Sequence, residues 1–242
     1  MIVKIFKNKE ELSFSFCTQL SEMIKSKEKY FIALSGGSTP KIVFQTLAEN
    51  FKSKIDWSKV HLFWGDERCV PPDHSESNFG MTKEYLINHI NIPEENIHRI
   101  KGENDPVEES IRYSEEIKKN LPDQNNLPQF DLIMLGIGED GHTASIFPDQ
   151  IKIIESEKIC ETAIHPETKQ KRITLTGRVI NNSQNIFFLI TGNKKSLIVD
   201  QIINKKNNFL RYPASHINPL NGELYFYLDS VAASLLNQKE YK

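Results

Sequence analysis

Cysteine is scarce in this 242-residue sequence: Cys17, Cys69 and Cys160 stand far apart, and no two of them form a CxxC pair. An odd number at such spacing builds neither a disulfide framework nor a cysteine-based zinc site, and points to a reducing, cytoplasmic setting. Long apolar runs are missing as well. No stretch approaches the roughly 18 residues of a membrane span, and the start, MIVKIFKNKEELSF, lacks the apolar core of a secretory leader. Charge of one sign is not in excess. Thirty Lys and Arg face 32 Asp and Glu, for a formal net charge of −2 with both signs interspersed. That balance argues against a nucleic-acid or membrane-surface binder and leaves room for a local basic pocket.

Three motifs are absent too. No GxxxxGK[ST] nucleotide loop occurs, and no serine stands in GxSxG, so a serine-esterase mechanism has little support for Ser35, Ser38 or Ser145. The seven histidines contain no pair at HxxxH-like spacing, so no metal is expected, although Glu139, Asp140 and His142 are ligand types.

What is present is a soluble globular composition, 38% hydrophobic and 26% charged, in a chain long enough to bury a large core. Apolar runs of strand length recur at Ile2–Phe6, Tyr30–Leu34, Val60–Trp64, Leu132–Leu135, Ile159–Ala163, Arg172–Leu175, Ile186–Thr191 and Glu223–Leu228. Between them, residues of helical spacing predict helices over Lys9–Lys27, from Thr39–Pro40 to about Lys52, Asn78–His89, Glu108–Leu121, Leu197–Ile203 and Val231–Leu236. Thr39 is placed to cap the second helix, with Pro40 at its first position. Strands alternating with helices predict one domain over residues 1–242. Its fold class is α/β, a doubly wound three-layer α/β/α domain with a mainly parallel central sheet. A monomer rather than an obligate oligomer is expected.

The stretch Phe130–Pro148, FDLIMLGIGEDGHTASIFP, organises the chain. A buried strand runs straight into glycines, two acids and a histidine, and in open parallel sheets chemistry collects beyond the strand carboxyl ends. Gly136, Gly138 and Gly141 spell GxGxxG. Yet Glu139 and Asp140 place negative charge where a pyrophosphate would sit, and Pro148 leaves little room for the following helix. No nicotinamide, flavin or other cofactor is therefore expected. A carboxylate beside an imidazole fixes its tautomer and favours the cation formed when it takes a proton, which makes His142 a candidate general base. Asp140 or Asp66 is its candidate partner. Gly36, Gly37, Ser38 and Thr39 open a helix and can offer N–H groups to a phosphate. Arg68 after the third strand, Arg172 and Lys195 are the cation candidates, with Lys194 as an alternative that spacing alone does not exclude.

With these residues assembled, the chain resembles the 6-phosphogluconolactonase family within the wider glucosamine-6-phosphate isomerase/deaminase superfamily. The resemblance runs nearly end to end: LSGGSTP (34–40), GDERCVP (65–71), SNFGM (77–81), the stretch at 130–148, RITLT (172–176), ITGNKKS (190–196) and PASHI (213–217). It implies an α/β/α fold, no metal, and hydrolysis of 6-phospho-D-glucono-1,5-lactone, a phosphosugar lactone of the oxidative pentose phosphate pathway. It also implies that His142 is the general base and that Arg68, Arg172 and Lys195 hold substrate. Gly177-Arg178 departs from the family pattern. In the deaminase branch the histidine motif resembles DGHIAFNEP, with a glutamate supporting the histidine. Here Phe147 takes that position, so the resemblance favours a lactonase.

Overall fold

The computed structural model describes residues 1–124 and 126–237. In chain order its strands and helices are β1 (Ile2–Phe6), α1 (Lys9–Lys25), β2 (Tyr30–Leu34), α2 (Ser38–Thr46), β3 (Val60–Trp64), β4 (Asp66–Arg68), α3 (Asn78–Tyr85) and α4 (Pro106–Asn120). They continue with β5 (Asp123–Gln124), β6 (Leu127–Pro128), β7 (Leu132–Leu135), β8 (Cys160–Ile164), β9 (Lys171–Leu175), α5 (Gly177–Asn181), β10 (Asn185–Ile190), α6 (Ser196–Ile203) and β11 (Glu223–Asp229).

α1 shows how local sequence sets these elements. The Asn8 side chain accepts from Glu11 N, Glu10 and Glu11 occupy the first turn, and Lys25 closes the last one. A side-chain cap satisfies an amide that the helix itself cannot, and the charges oppose the helix dipole. Leu12, Phe16, Leu20 and Ile24, four residues apart, are all buried and form its inner face.

Six strands form the central sheet in the order β1-β11-β10-β7-β2-β3, every neighbouring pair parallel. β2, β3 and β7 are buried along their whole length, as a parallel sheet covered on both faces requires. From β2 the chain winds outward to β3. It then returns to the other side of β2 and continues through β7, β10 and β11. The winding reverses between β2 and β7, and the loops leaving those strands flank that crevice.

Two expectations need correction. Asp66–Arg68, not among the strands expected from the sequence, is a strand that pairs antiparallel with β9 in a second sheet ordered β4-β9-β8. Gly65 joins the sheets: its N–H donates to Leu34 O and its carbonyl accepts Leu175 N, both at 2.8 Å. Val231–Leu236 forms turns rather than a helix, with Ser234 N and Leu236 N each reaching back only three residues. The Asp229 carboxylate draws in Ala232 N at 2.7 Å and so closes a turn there. None of the described helices is long and apolar enough to cross a membrane.

Candidate active site

After β7 the chain turns through Gly136–His142, closed by Gly138 N donating to His142 O at 2.9 Å and Gly141 N to Gly138 O at 3.1 Å. This turn folds His142 back over Gly138. A Cβ on Gly138 would lie 2.1 Å from His142 Nδ1 and 2.4 Å from Asp140 Oδ1, so only glycine admits the ring here. Asp140 Oδ1 stands 2.6 Å from His142 Nδ1 and also accepts the His142 backbone N–H at 3.1 Å. An ionised carboxylate can only accept, so Nδ1 carries the proton and the neutral ring keeps its lone pair on Nε2. Burial pushes the Asp140 carboxyl up, but the hydrogen bond and charge of His142 outweigh it and hold it below the ordinary value of 3.8.

Asp66 is not the histidine's partner. Its Oδ2 accepts from Ser145 Oγ at 2.6 Å, and Asn78 Nδ2 donates to its backbone carbonyl at 2.9 Å. The same contact ties the buried Ser145 hydroxyl to a carboxylate and not to an imidazole, so it does not form a Ser–His nucleophile pair. Glu67, not among the candidate site residues named from the sequence, is the hub of this region. Its buried carboxylate accepts Arg68 N (2.8 Å), Asn78 N (2.7 Å), Phe79 N (2.8 Å) and Ser77 Oγ (3.1 Å). It thereby ties the start of α3 to the strand that carries Arg68. Burial raises its proton affinity against the three backbone donors that lower it. The signal was there in GDER followed by SNFGM, but sequence does not show that the two segments meet.

Arg68 and Arg172 are direct partners in the β4–β9 register. Nε of each is buried without a hydrogen-bond partner, and no carboxylate forms an ion pair with either guanidinium among the described residues. Burial, then the Arg68 charge, holds Arg172 below its ordinary value. Two like charges with unsatisfied donors are costly unless an anion joins them, so the pair has the character of an anion site.

The glycine loop lies across the crevice. Gly37, at φ +109°, precedes α2, which begins at Ser38 with no side-chain cap. Thr39 does not cap it as the sequence suggested, because its hydroxyl pairs instead with Thr191 Oγ1 at 2.8 Å, on the loop leaving β10. The Ser38 and Thr39 N–H groups are therefore first-turn amides without intrahelical partners. Gly36 is backed so closely by Asn78 that a Cβ would come within 1.8 Å of its Oδ1. A surface cavity of about 840 Å³ is lined by Gly37, Lys41, Arg68 and residues of α3, and His142 is not part of its lining.

Lys195 ends a single 3₁₀ turn, Asn193–Lys195, and enters α6. It is half-buried. Burial lowers its proton affinity, and the charges of Glu139 and Asp140 raise it, which places it near the acidic side of the His142 turn. Lys194 is exposed and pairs with Glu139 at 3.7 Å. Phe147 is buried with its ring centroid 4.9 Å from that of His142, where the deaminase-like pattern would bring a carboxylate. Among the described residues no group of three or more His, Cys, Asp or Glu side chains could hold a metal ion.

Fold and site together define an α/β/α enzyme whose candidate residues gather at the carboxyl ends of a parallel sheet, where its winding reverses. Comparison with known proteins then gives the family. The model for glucosamine-6-phosphate isomerases/6-phosphogluconolactonase matches residues 8–226, and the chain belongs to that family. It is 45% identical to the 6-phosphogluconolactonase of Haemophilus influenzae over 206 residues, 85% of this chain and 87% of that protein. To the 6-phosphogluconolactonase of Treponema pallidum it is 41% identical over 191 residues, 79% of each. The solved 6-phosphogluconolactonase of Trypanosoma brucei superposes with a TM-score of 0.87 at 28% identity, covering 97% of this chain and 98% of that one.

Proposed function

We propose that this chain hydrolyses 6-phospho-D-glucono-1,5-lactone to 6-phospho-D-gluconate in the oxidative pentose phosphate pathway, with His142 as the base for water. The observation that carries this reading is the acid-oriented imidazole at the β2–β7 crevice, together with an arginine pair, without an anion of its own, on β4 and β9, the strands that Ser145, three residues after His142, bonds.

A δ-lactone is an activated ester, so no covalent intermediate is required. The Nε2 lone pair of His142 takes a proton from water as the water oxygen bonds to the lactone carbonyl carbon. A positioned base of this kind is worth roughly 10²–10⁴-fold in rate. Asp140 stabilises the imidazolium while the tetrahedral oxyanion is held by N–H donors or the Arg68 guanidinium. When the intermediate collapses, the C–O bond to the ring oxygen breaks, and that alkoxide receives its proton from the imidazolium. Arg172, Lys195, Arg68 and the amides at Gly36–Thr39 supply the grip on the 6-phosphate, remote from the reacting carbon. We read the chain as a cytoplasmic monomer of one domain. The three free cysteines, two of them buried, fit that compartment.

The test is hydrolysis of freshly generated lactone at fixed pH, corrected for its spontaneous opening. Rapid enzymatic turnover is expected. An ammonia assay with glucosamine 6-phosphate should stay at background, because Phe147 offers the ring-opening step no carboxylate. The opposite pair of results would overturn the reading.

A further inference from the structure

The PASHI segment, singled out in the sequence, has no part in the chemistry above, yet it packs directly behind the His142 turn. Tyr212, just before it, is buried. Gly141 takes φ +81°, and a Cβ there would lie 2.5 Å from Tyr212 Cδ1, 2.7 Å from Cβ and 2.8 Å from Cγ, so the tyrosine already occupies that space. Ala214 N donates to Gly141 O at 3.1 Å. The residue between Asp140 and His142 is thus gripped through both its Cα face and its carbonyl. The other end of Tyr212 meets α6: its hydroxyl donates to Gln201 Oε1 at 2.5 Å. Gln201 is buried on α6, the helix that Lys195 enters. Arg211 donates to the same hydroxyl and lies over the Tyr212 ring, 4.6 Å from its centroid.

We propose that Tyr212 is a positioning residue that couples the two halves of the centre. Its ring sets the Asp140–His142 turn, and its hydroxyl holds the last turn of α6, the rigid helix whose N-cap is Lys195. The inference rests on the lactonase reading for its kinetic arms only. A strand-end loop with three glycines cannot hold an imidazole steady by itself, since glycine leaves the backbone its widest freedom. A rigid aromatic with two torsions does so at small entropic cost, and buried groups whose rotamers are locked by packing are what hold reacting side chains in register.

The two ends of the residue can be cut separately. Tyr212→Phe keeps the ring and removes the hydroxyl, so KM for the phosphorylated lactone should rise about 3–10-fold with kcat near wild type, the loss expected of one hydrogen bond in a supporting layer. Gln201→Leu should do the same, and the double variant should be no worse than either, because both cut one link. Tyr212→Ala removes the backing of Gly141, so kcat should fall about 10–100-fold, the scale expected of small misplacements of a reacting group. An activity-independent readout accompanies these: the downfield proton resonance of His142 Nδ1–H, the signature of its short bond to Asp140, should persist in Tyr212→Phe and broaden away in folded Tyr212→Ala. If Tyr212→Ala does not fold, Tyr212→Leu carries the same arm. Equal kinetics in all variants with the proton signal intact would overturn the coupling. So would kinetic losses that merely follow the folded fraction. A wild type without lactonase activity that loses the proton signal only on truncation would sink the lactonase reading and leave the positioning role standing.

Discussion

Two imidazole–carboxylate pairs of nearly equal length sit in this molecule. His142 Nδ1 is 2.6 Å from Asp140 Oδ1, and His98 Nδ1 is 2.7 Å from Glu116 Oε1. The second pair is part of the interior. His98 is buried, its ring lies 4.3 Å from that of Phe63 at 14°, and its Nε2 is spent on His61 Nδ1 at 3.2 Å. Burial, then the neighbouring His98, pushes His61 down to about 4. Burial likewise lowers His98 in spite of Glu116. The His142 side chain is 31% exposed at the end of β7, with Nε2 bonded to no protein group among the described residues. A carboxylate fixes the tautomer in both places. Only where the second nitrogen is free and faces solvent can the ring move a proton for a substrate.

That contrast is most sharply broken by exchanging the rings for amides. His142→Asn should lower kcat by roughly 10²–10⁴-fold while the thermal midpoint stays within a degree or two, since a half-exposed side chain contributes little to the core. His98→Asn should do the reverse, leaving kcat of the folded protein near wild type and costing about 1–3 kcal/mol by unpairing the Glu116–His98–His61 chain. Side-by-side steady-state kinetics and urea unfolding check both, and a swap of the two phenotypes would reverse the assignment.

The arginine pair comes next. Arg172→Met removes a charge-assisted partner for the 6-phosphate, and such bonds are worth about 1.5–3 kcal/mol, so KM should rise between about 10- and 150-fold. Stability should move the other way. Taking one of two adjacent unpaired guanidinium groups out of a buried site relieves repulsion and desolvation, so the melting temperature of the unliganded protein should hold or rise. Loss of stability with unchanged KM would show that the pair is structural, as the histidines of the interior are.

The interior pair also has its own pH signature. A histidine near pH 4 in the folded protein and near 6.5 when unfolded is neutral in both states above about 6.5, and there it adds no pH dependence. Below that, the unfolded chain binds the proton and the folded one does not, so stability drops as pH falls from about 6.5 toward 4. Urea midpoints between pH 7.5 and 5 should show this drop, and His61→Phe, which removes one of the two sites, should reduce it. An unchanged slope in that variant would mean that other groups govern the acid limb.

Much of this was legible in the sequence, for identifiable reasons. Buried runs such as Leu132–Leu135 and Ile186–Ile190 read as covered strands because a parallel sheet permits no polar alternation. Asp140 and His142 could be paired because they lie two residues apart on one turn. What stayed hidden depended on contacts far apart in the chain. Asp66 reaches Ser145, 79 residues away, so its acid looked free until the fold closed. Thr39 looked like a cap until Thr191 claimed its hydroxyl. Tyr212 carried no chemical motif, and its contacts with Gly141 and Gln201 exist only once the chain is folded.

The smallest effect concerns two neighbours that spacing could not separate. Lys194 and Lys195 are consecutive, both basic and both before α6, yet they occupy different environments. Lys194 has an 82% exposed side chain and meets a 59% exposed Glu139 at 3.7 Å. Exposed ion pairs contribute about 0–1 kcal/mol, because water screens them and two long side chains must be ordered to form them. Lys194→Ala should therefore change kcat/KM by less than about twofold, and added salt should erase even that difference. Lys195 is half-buried with the acids of the His142 turn acting on it, so Lys195→Ala should raise KM for the phosphorylated lactone on the scale of the arginine variant. If Lys194→Ala were the damaging change and Lys195→Ala the silent one, the phosphate would sit at the rim, outside the crevice, and the distinction between interior and reactive cations would have to be redrawn.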